Sequence, residues 1–270
     1  MSLRVAIQGF EASFHEIAAR KYFHGQHVDL EFCESFKQEF DALDNGIVDF
    51  ALMAIENTLA GSLMPNYSLL RESEHKIVGE INLHIVQNFM AIPGTKISEI
   101  KEVHSHPVAI AQTFPYFKQF SHIKLVESDD TALSAKEIAV NNIRDRGAVA
   151  SKHAARVFGL EILAPSIETH KSNYTRFLVI ENKNNFRRSI IHKNKASLCF
   201  SLPHEEGSLA SVLAILSYYK INLTKIQSMP IMGQEFEYFF YIDLTFSNYE
   251  KFCLAVQAVK PLMHNLTVLG

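Results

Sequence analysis

The chain has 270 residues, 47% of them hydrophobic and 20% charged, with a formal net charge of -3. That mix is enough to bury a core, and at about 150 residues per domain it points to more than one domain. The charge balance provides no field for nucleic acid or an anionic membrane, so neither is expected as a partner.

The N-terminal part alternates strand and helix. Arg4–Gln8 reads as a strand ended by Gly9, and Glu11–Phe23 as a helix with Phe14, Ile17, Ala18 and Tyr22 on one face. Glu31–Cys33 is a short strand, and Ser35 caps a helix carrying Phe36, Phe40 and Leu43. Asp49–Ile55 is an apolar strand that ends at Glu56-Asn57. Ile77–Leu83 and His84–Ile92 read as two longer strands, able to carry the chain from one lobe to another. A second set then follows. Glu102–His104 is a strand, Pro107 suits the first turn of a helix running to about Tyr116, and Lys124–Glu127 is a strand. Asp130–Asn141 is an Ala-rich helix, Ala148–Ala150 a strand, Lys152–Phe158 a helix ended by Gly159, and Thr175–Ile180 a strand. This alternation predicts an α/β fold, with a largely parallel sheet in each of two lobes and helices on both faces.

Composition shifts at Lys183–Lys195, which holds Lys183, Arg187, Arg188, Lys193 and Lys195 and no acid, and reads as a solvated linker. The pattern then restarts. Ala196–Leu202 is a strand, Ser208–Lys220 a helix with Leu209, Val212, Leu213 and Leu216 inward, and Leu223–Met229 a strand. Phe236, Tyr238, Phe240, Ile242 and Leu244 alternate as in a half-buried strand, Asn248–Lys260 is a helix and Leu266–Leu269 a last strand. The order βαββαβ is ferredoxin-like.

Cys33, Cys199 and Cys253 are far apart, with no C-x-x-C spacing, so neither a disulfide framework nor a zinc site is indicated, and reduced thiols in a cytoplasm are expected. The apolar run at Arg4–Gly9 is too short for a signal segment, and no window approaches the ~20 apolar residues of a membrane span. His104 and His106 sit two apart, which does not put them on one helical face, so no metal pair is expected.

Polar clusters at strand ends are where ligands bind in α/β folds. Four stand out. Ser172-Asn173-Tyr174-Thr175-Arg176 precedes the buried run Phe177–Ile180. Glu56-Asn57-Thr58-Leu59-Ala60-Gly61-Ser62 follows a buried strand; it is either a ligand loop or a polar turn satisfying its own backbone. His104-Ser105-His106-Pro107, with Gln112 on the next helix, places polar groups at a helix start that favours anions, or simply caps that helix. Asp129-Asp130-Thr131-Ala132 and Gly147-Ala148-Val149-Ala150-Ser151 also read as ordinary caps.

In this order along the chain the clusters resemble the motifs of prephenate dehydratases. These are Glu-Asn-Ser/Thr-x-x-Gly-Ser, Ser-His-Pro-Gln-x-x-x-Gln (Val108 replacing the first Gln), Asp-Thr-Ala, Ala-Ala-Ile-Ala-Ser and Asn-x-Thr-Arg-Phe. Gly9-Phe10-Glu11-Ala12-Ser13-Phe14 is similar to the family's Gly-Pro-x-Gly-Thr-Phe turn, with Phe10 and Ala12 departing. Gly207-Ser208-Leu209 resembles the turn that opens the first helix of ACT domains, and Asn222 matches their Gly-Ile-Asn segment. The family's Glu-Ser-Arg-Pro segment reads Gln227-Ser228-Met229-Pro230 here.

The resemblance implies a monofunctional bacterial enzyme. Its catalytic domain would span 1–182 and be two-lobed like type 2 periplasmic binding proteins. Lobe one would take about 1–80 and 168–182, and lobe two about 81–167. A linker would follow at 183–195, and a regulatory ACT domain at 196–270. It implies decarboxylating dehydration of prephenate to phenylpyruvate without a cofactor or metal, feedback by L-phenylalanine, and a homodimer or homotetramer paired through the ACT domain. Thr175 takes the catalytic role, Asn57, Ser62, Ser105, Gln112, Thr131, Ser151 and Arg176 the substrate, and Gly207, Ser208, Leu209, Asn222 and Ser228 the effector. Arg176 is alternatively structural, paired with an acid. Arogenate dehydratase uses the same motifs, and a non-catalytic two-lobed sensor with an ACT domain is the rival from another class.

Overall fold

The computed structural model describes residues 2–184 and 193–270, so most of the expected linker, including Arg187 and Arg188, lies outside the described residues. The chain divides into two compact units. One comprises the residues up to Asn66 together with Gly79–Ile180; the other joins Tyr67–Val78 to Glu181–Gly270.

The first unit begins with β1 (Leu3–Gln8), α1 (Phe14–Tyr22), β2 (Val28–Cys33), α2 (Phe36–Asp44), β3 (Phe50–Asn57) and the two-residue β4 (Gly61–Ser62). Next come α3 (Met64–Glu72) and β5 (Lys76–His84), each divided between the two units. Then follow β6 (Asn88–Ala91), β7 (Glu102–Ser105), α4 (Pro107–Phe117), β8 (Lys124–Glu127), α5 (Thr131–Val140), β9 (Arg146–Ala150), α6 (Lys152–Phe158), β10 (Glu161–Ala164) and β11 (Tyr174–Glu181). Helix α3 and strands β4 and β10 have no counterpart in the expected elements.

Two sheets result. The first has the order β2-β1-β3-β11-β5 with β4 beside β3, and the second the order β10-β6-β9-β7-β8. β1 runs parallel to β2 and β3, and β7 parallel to β8 and β9. β6 is antiparallel to β9 and β10, so the parallel expectation fails at that side of the second sheet. Residues Ala51–Ile55 of β3 are buried on both faces, which is why the strand is uniformly apolar rather than alternating. Local caps fall where the sequence puts them. Ser35 accepts the Gln38 N–H, Asp130 accepts those of Ala132 and Leu133, and Gly159 ends α6 at φ 67°.

Helix α1 starts at Phe14 rather than Glu11, because Ser13 caps it and Ala12 sits in the left-handed region at φ 67°. Ala12 is held there by its N–H bond to Glu16 Oε2 at 2.7 Å. The resembled turn carries glycine at this position. Ala12→Gly is therefore expected to stabilise the fold by about 0.5 kcal/mol, the left-handed strain relieved minus the extra freedom of an unfolded glycine. A lowered urea midpoint would show that Ala12 is unstrained.

The chain crosses between the two sheets at 85–87 and at 165–173. The crossings are tied together. Ile85 N–H donates to Asn173 O, Ile167 N–H to Gln87 O, and Gln87 N–H to Glu168 Oε2, each at 2.8 Å. This tie breaks the expected strand His84–Ile92, because Gln87 bonds the second crossing instead of a sheet neighbour. Burial pushes the Glu168 carboxyl up. Hydrogen bonds from the Ser166 hydroxyl and Gln87 N–H, with Lys171 nearby, prevail and hold it below the usual carboxylate range.

The second unit contains β12 (Lys195–Ser201), α7 (Ser208–Tyr218), β13 (Asn222–Pro230), β14 (Tyr238–Thr245), α8 (Tyr249–Val259) and β15 (His264–Val268). Its sheet has the order β13-β14-β12-β15, with every pairing antiparallel. One face packs Leu198, Phe200, Ile242 and Leu244 against Val212 and Leu216 of α7 and Phe252 and Val259 of α8. The other face meets α3. The Tyr67 and Tyr241 rings lie 5.0 Å apart, and the Arg71 guanidinium sits 4.2 Å over Phe239. β14 is thus covered on both sides, with Tyr241 and Asp243 also buried, which corrects the half-buried reading. Phe236 falls outside the strand, exposed and at φ 62°. Burial pushes the Cys33 thiol up to about 12 and the Cys199 thiol up to about 11, so neither is a thiolate at neutral pH. Among the described residues, no helix is long and apolar enough to cross a membrane.

Candidate active site

The C-terminal end of β3 meets the N-terminal end of β11, where Thr58 N–H donates to Tyr174 O at 2.9 Å. The Thr58 hydroxyl reinforces this junction. It accepts the Tyr174 N–H at 2.9 Å and donates to Ser172 O at 3.1 Å. Asn57 is oriented by its own turn, because its Oδ1 accepts the N–H groups of Leu59 and Ala60, both at 2.9 Å. Its Nδ2 then donates to Thr175 Oγ1 at 2.9 Å and to Asn173 Oδ1 at 2.8 Å. Asn173 Nδ2 donates in turn to Gln112 Oε1 at 2.8 Å. Gln112 belongs to α4, on the second sheet, and its backbone oxygen accepts from the Thr169 N–H and hydroxyl. The structure therefore joins Asn57, Gln112 and Thr175 from the expected set, and adds Asn173 as their common link.

The remaining expected residues lie elsewhere in the unit. β7, β8 and β9 are parallel, so α4, α5 and α6 all start along one edge of the second sheet. Ser105 ends β7, fully buried, and its hydroxyl donates to Val149 O at 2.6 Å. His106 is the residue that caps α4, through Nδ1 accepting the Val108 N–H. Thr131 is the buried first residue of α5. Ser151 caps α6 and donates to Ala12 O at 3.3 Å, bringing the β1–α1 turn to this edge. Gly9 belongs to that turn at φ 100°, and a side chain there would come within 3.5 Å of Asp130 Oδ2. Burial pushes the Asp130 carboxyl up, against its two backbone N–H bonds. Ser62 sits in β4, paired with Glu56.

Arg176 is buried, and its guanidinium is flanked by acids. Nε and Nη2 donate to Glu80 Oε2 at 2.7 and 2.6 Å, and Nη1 donates to Glu56 Oε1 at 3.3 Å. This geometry matches the structural alternative.

The arrangement sets out neutral hydrogen-bond donors. Thr175 Oγ1 accepts from Asn57, so its own hydrogen is directed away from Asn57. Gln112 Oε1 accepts from Asn173, so its NH2 end is left to serve another acceptor. Such donors suit an anionic ligand held without a tight cation. Among the described residues, no group of three or more His, Cys, Asp or Glu side chains is placed to hold a metal ion.

In the second unit, a pocket of about 140 Å³ is lined by Ser208, Leu209, His204, Phe236, Tyr238 and Phe240 among others. Gly207 supplies the left-handed start of α7 at φ 80°. Asn222 and Ser228, on β13, are not among the lining residues. Nor is Met229, whose sulfur lies 3.7 Å from the Ser68 hydroxyl on α3. Sequence reading missed His204, Phe236 and Tyr238. It also gave Asn173 no role, although its spacing two before Thr175 in an extended segment put both on one side.

The prephenate dehydratase family model matches residues 5–185. Arogenate dehydratase 2 of Petunia hybrida is 38% identical over 255 residues, which cover 89% of this chain and 64% of that protein. The chain spans 60% to 65% of the length of three such curated plant relatives. A solved structure described as a novel type of quorum quenching acylase is 27% identical, with a TM-score of 0.86 over 99% of this chain and 96% of its own. Prephenate dehydratase from Arthrobacter aurescens, solved with L-Phe, shares the fold. Its TM-score is 0.87 at 22% identity, over 99% of this chain and 89% of its own.

Proposed function

The chain belongs to the prephenate dehydratase family, and on that premise we propose that it converts prephenate to phenylpyruvate, carbon dioxide and water. The carrying observation is the chain of hydrogen bonds Gln112–Asn173–Asn57–Thr175, which leaves neutral donors at its two ends. The chemistry needs no electron acceptor. Breaking the bond to the ring carboxylate releases carbon dioxide, its electron pair enters the ring, and the ring hydroxyl leaves as the ring becomes aromatic. The difficult part is departure of that hydroxyl. Thr175 Oγ–H is the donor to the leaving oxygen, which takes a proton passed on from water and departs as water. A threonine hydroxyl is too weak an acid to act alone. Gln112 holds a carboxylate. A neutral donor is suitable there because a strong cation would stabilise the ground-state charge more than a transition state that is losing it.

Residues 1–182 form the catalytic domain of this reading, with two lobes of the periplasmic-binding type, and 196–270 form a ferredoxin-like ACT domain. L-phenylalanine is the effector, and the pocket beside Ser208, Leu209 and Phe236 is its site, with apolar walls for a ring and a polar rim. Gly207 shapes that turn. Asn222 and Ser228 have a place in effector binding only across an interface between two copies. The protein works in the cytoplasm as a homodimer or homotetramer.

Arogenate is the second substrate to consider, since the Petunia relative is named for it. The deciding experiment is steady-state turnover of prephenate and arogenate, with and without phenylalanine, and with an acylated substrate in the same panel because of the acylase-like structure. Prephenate turnover suppressed by phenylalanine is the expected result. Preference for arogenate would move the substrate and keep the mechanism. Tight binding without turnover would make the chain a sensor, and cleavage of the acylated substrate alone would overturn the reading.

A further inference from the structure

Asn173 is fully buried, lies outside the residues expected to touch substrate, and is bonded on one side to β3 and on the other to α4. The direction of each bond in its chain is set at one end. The N–H groups of Leu59 and Ala60 can only donate, so Asn57 must present Oδ1 to them and turn Nδ2 the other way. Asn173 must then offer Oδ1 to Asn57 and Nδ2 to Gln112. Gln112 must accept through Oε1, and its NH2 is left to donate elsewhere. Side-chain amides are otherwise ambiguous in orientation; here a backbone turn settles all three.

We propose that Asn173 is a positioning residue that sets donor polarity in the site. It transmits the orientation fixed at the Leu59–Ala60 turn to Gln112 in the second lobe, so that a donor and not an acceptor meets the substrate anion. The proposal rests on the dehydratase reading of this cleft. Asparagine is suited to the position because it has one donating and one accepting end. An aspartate has two accepting oxygens. It would keep the bond from Asn57 and force Gln112 to turn over, presenting its oxygen to an anionic substrate.

The test is a pH series on Asn173→Asp, with Asn173→Ala beside it. A protonated aspartic acid again has one donor and one acceptor, so acid should restore the original polarity. At pH 8, Asn173→Asp should lose about 10²-fold in kcat/KM relative to wild type. The ratio of variant to wild type should climb at least tenfold on acidification, following one ionisation. Asn173→Ala should lose activity with a ratio that does not depend on pH. Both side chains bonded to Asn173 are amides, so neither titrates, and the ratio removes ionisations shared with wild type.

A second readout stands without turnover. The aspartate is buried, so its pKa in the folded protein lies above the unfolded value near 3.9. The thermal midpoint of Asn173→Asp should match wild type more closely at low pH and fall behind as pH rises from about 4. A pH-independent activity ratio in an active protein would overturn the proposal and leave the dehydratase reading intact. Absence of wild-type turnover would sink that reading instead. A midpoint gap that does not widen with pH would overturn the proposal in that case as well.

Discussion

Thr175→Ala is expected to lower kcat by about 10²- to 10³-fold, the usual loss when one preorganised donor to a developing oxyanion is removed. The fold should survive. Thr175 is half-exposed at the start of β11, and its neighbours Phe177–Ile180 carry the packing. Thr175→Ser keeps an oxygen within reach of Asn57 Nδ2 and should retain most of the rate, whereas Thr175→Val keeps the shape and should not. Under the proposed mechanism, the KM for prephenate should change far less than kcat, because the donor would matter most when the ring hydroxyl departs. A Thr175→Ala enzyme with the wild-type rate would remove Thr175 from the mechanism.

Arg176→Met is expected to cost about 3 kcal/mol of stability, the low end for breaking a buried ion pair, since the Glu56 and Glu80 side chains remain 30% exposed. For a chain this size the thermal midpoint should fall by about 6–12 °C. The cause is the loss of the cation between two carboxylates. Adding Glu80→Gln to Arg176→Met should recover part of the loss, which calorimetry on the single and double variants can read. Arg176→Lys should rescue poorly, because one ammonium cannot reproduce the guanidinium's contacts to both acids. The opposite pattern, with stability unchanged and KM raised tenfold, would place Arg176 on the substrate instead.

The two predictions differ in how they could be reached. The role proposed for Thr175 comes from the family resemblance of the polar run before a buried strand. Which role Arg176 takes was left open, and its partner Glu80 is far away in sequence, on β5. No spacing rule connects residues 80 and 176.

Chain-local features were legible without coordinates. The caps at Ser35, Asp130 and Ser151, the proline start of α4 and the glycine end of α6 depend on hydrogen bonds spanning only a few residues. The buried strand β3 was legible because burial on both faces demands uninterrupted apolar residues, whereas β14, covered on both sides, had read as half-buried. The extra helix α3 was not. Its sequence Met64–Glu72 has no strong apolar stripe, and part of what holds it is the sheet face that carries Phe239 and Tyr241.

By itself, then, the sequence determined the α/β alternation, the restart of the pattern after residue 195, the capped ends of α2, α4, α5 and α6, and the residue types on offer at the strand ends. Only the tertiary structure decided which of those polar groups meet. It joined Gln112 to Asn57 and Thr175 through Asn173, turned the Ser105 hydroxyl toward Val149, enclosed Arg176 between two acids, and placed Tyr67–Val78 with the C-terminal residues. The reason is physical. Propensities and caps are set by neighbours along the chain, whereas the direction of an amide or the partner of a guanidinium is set by atoms that only folding brings within about 3 Å.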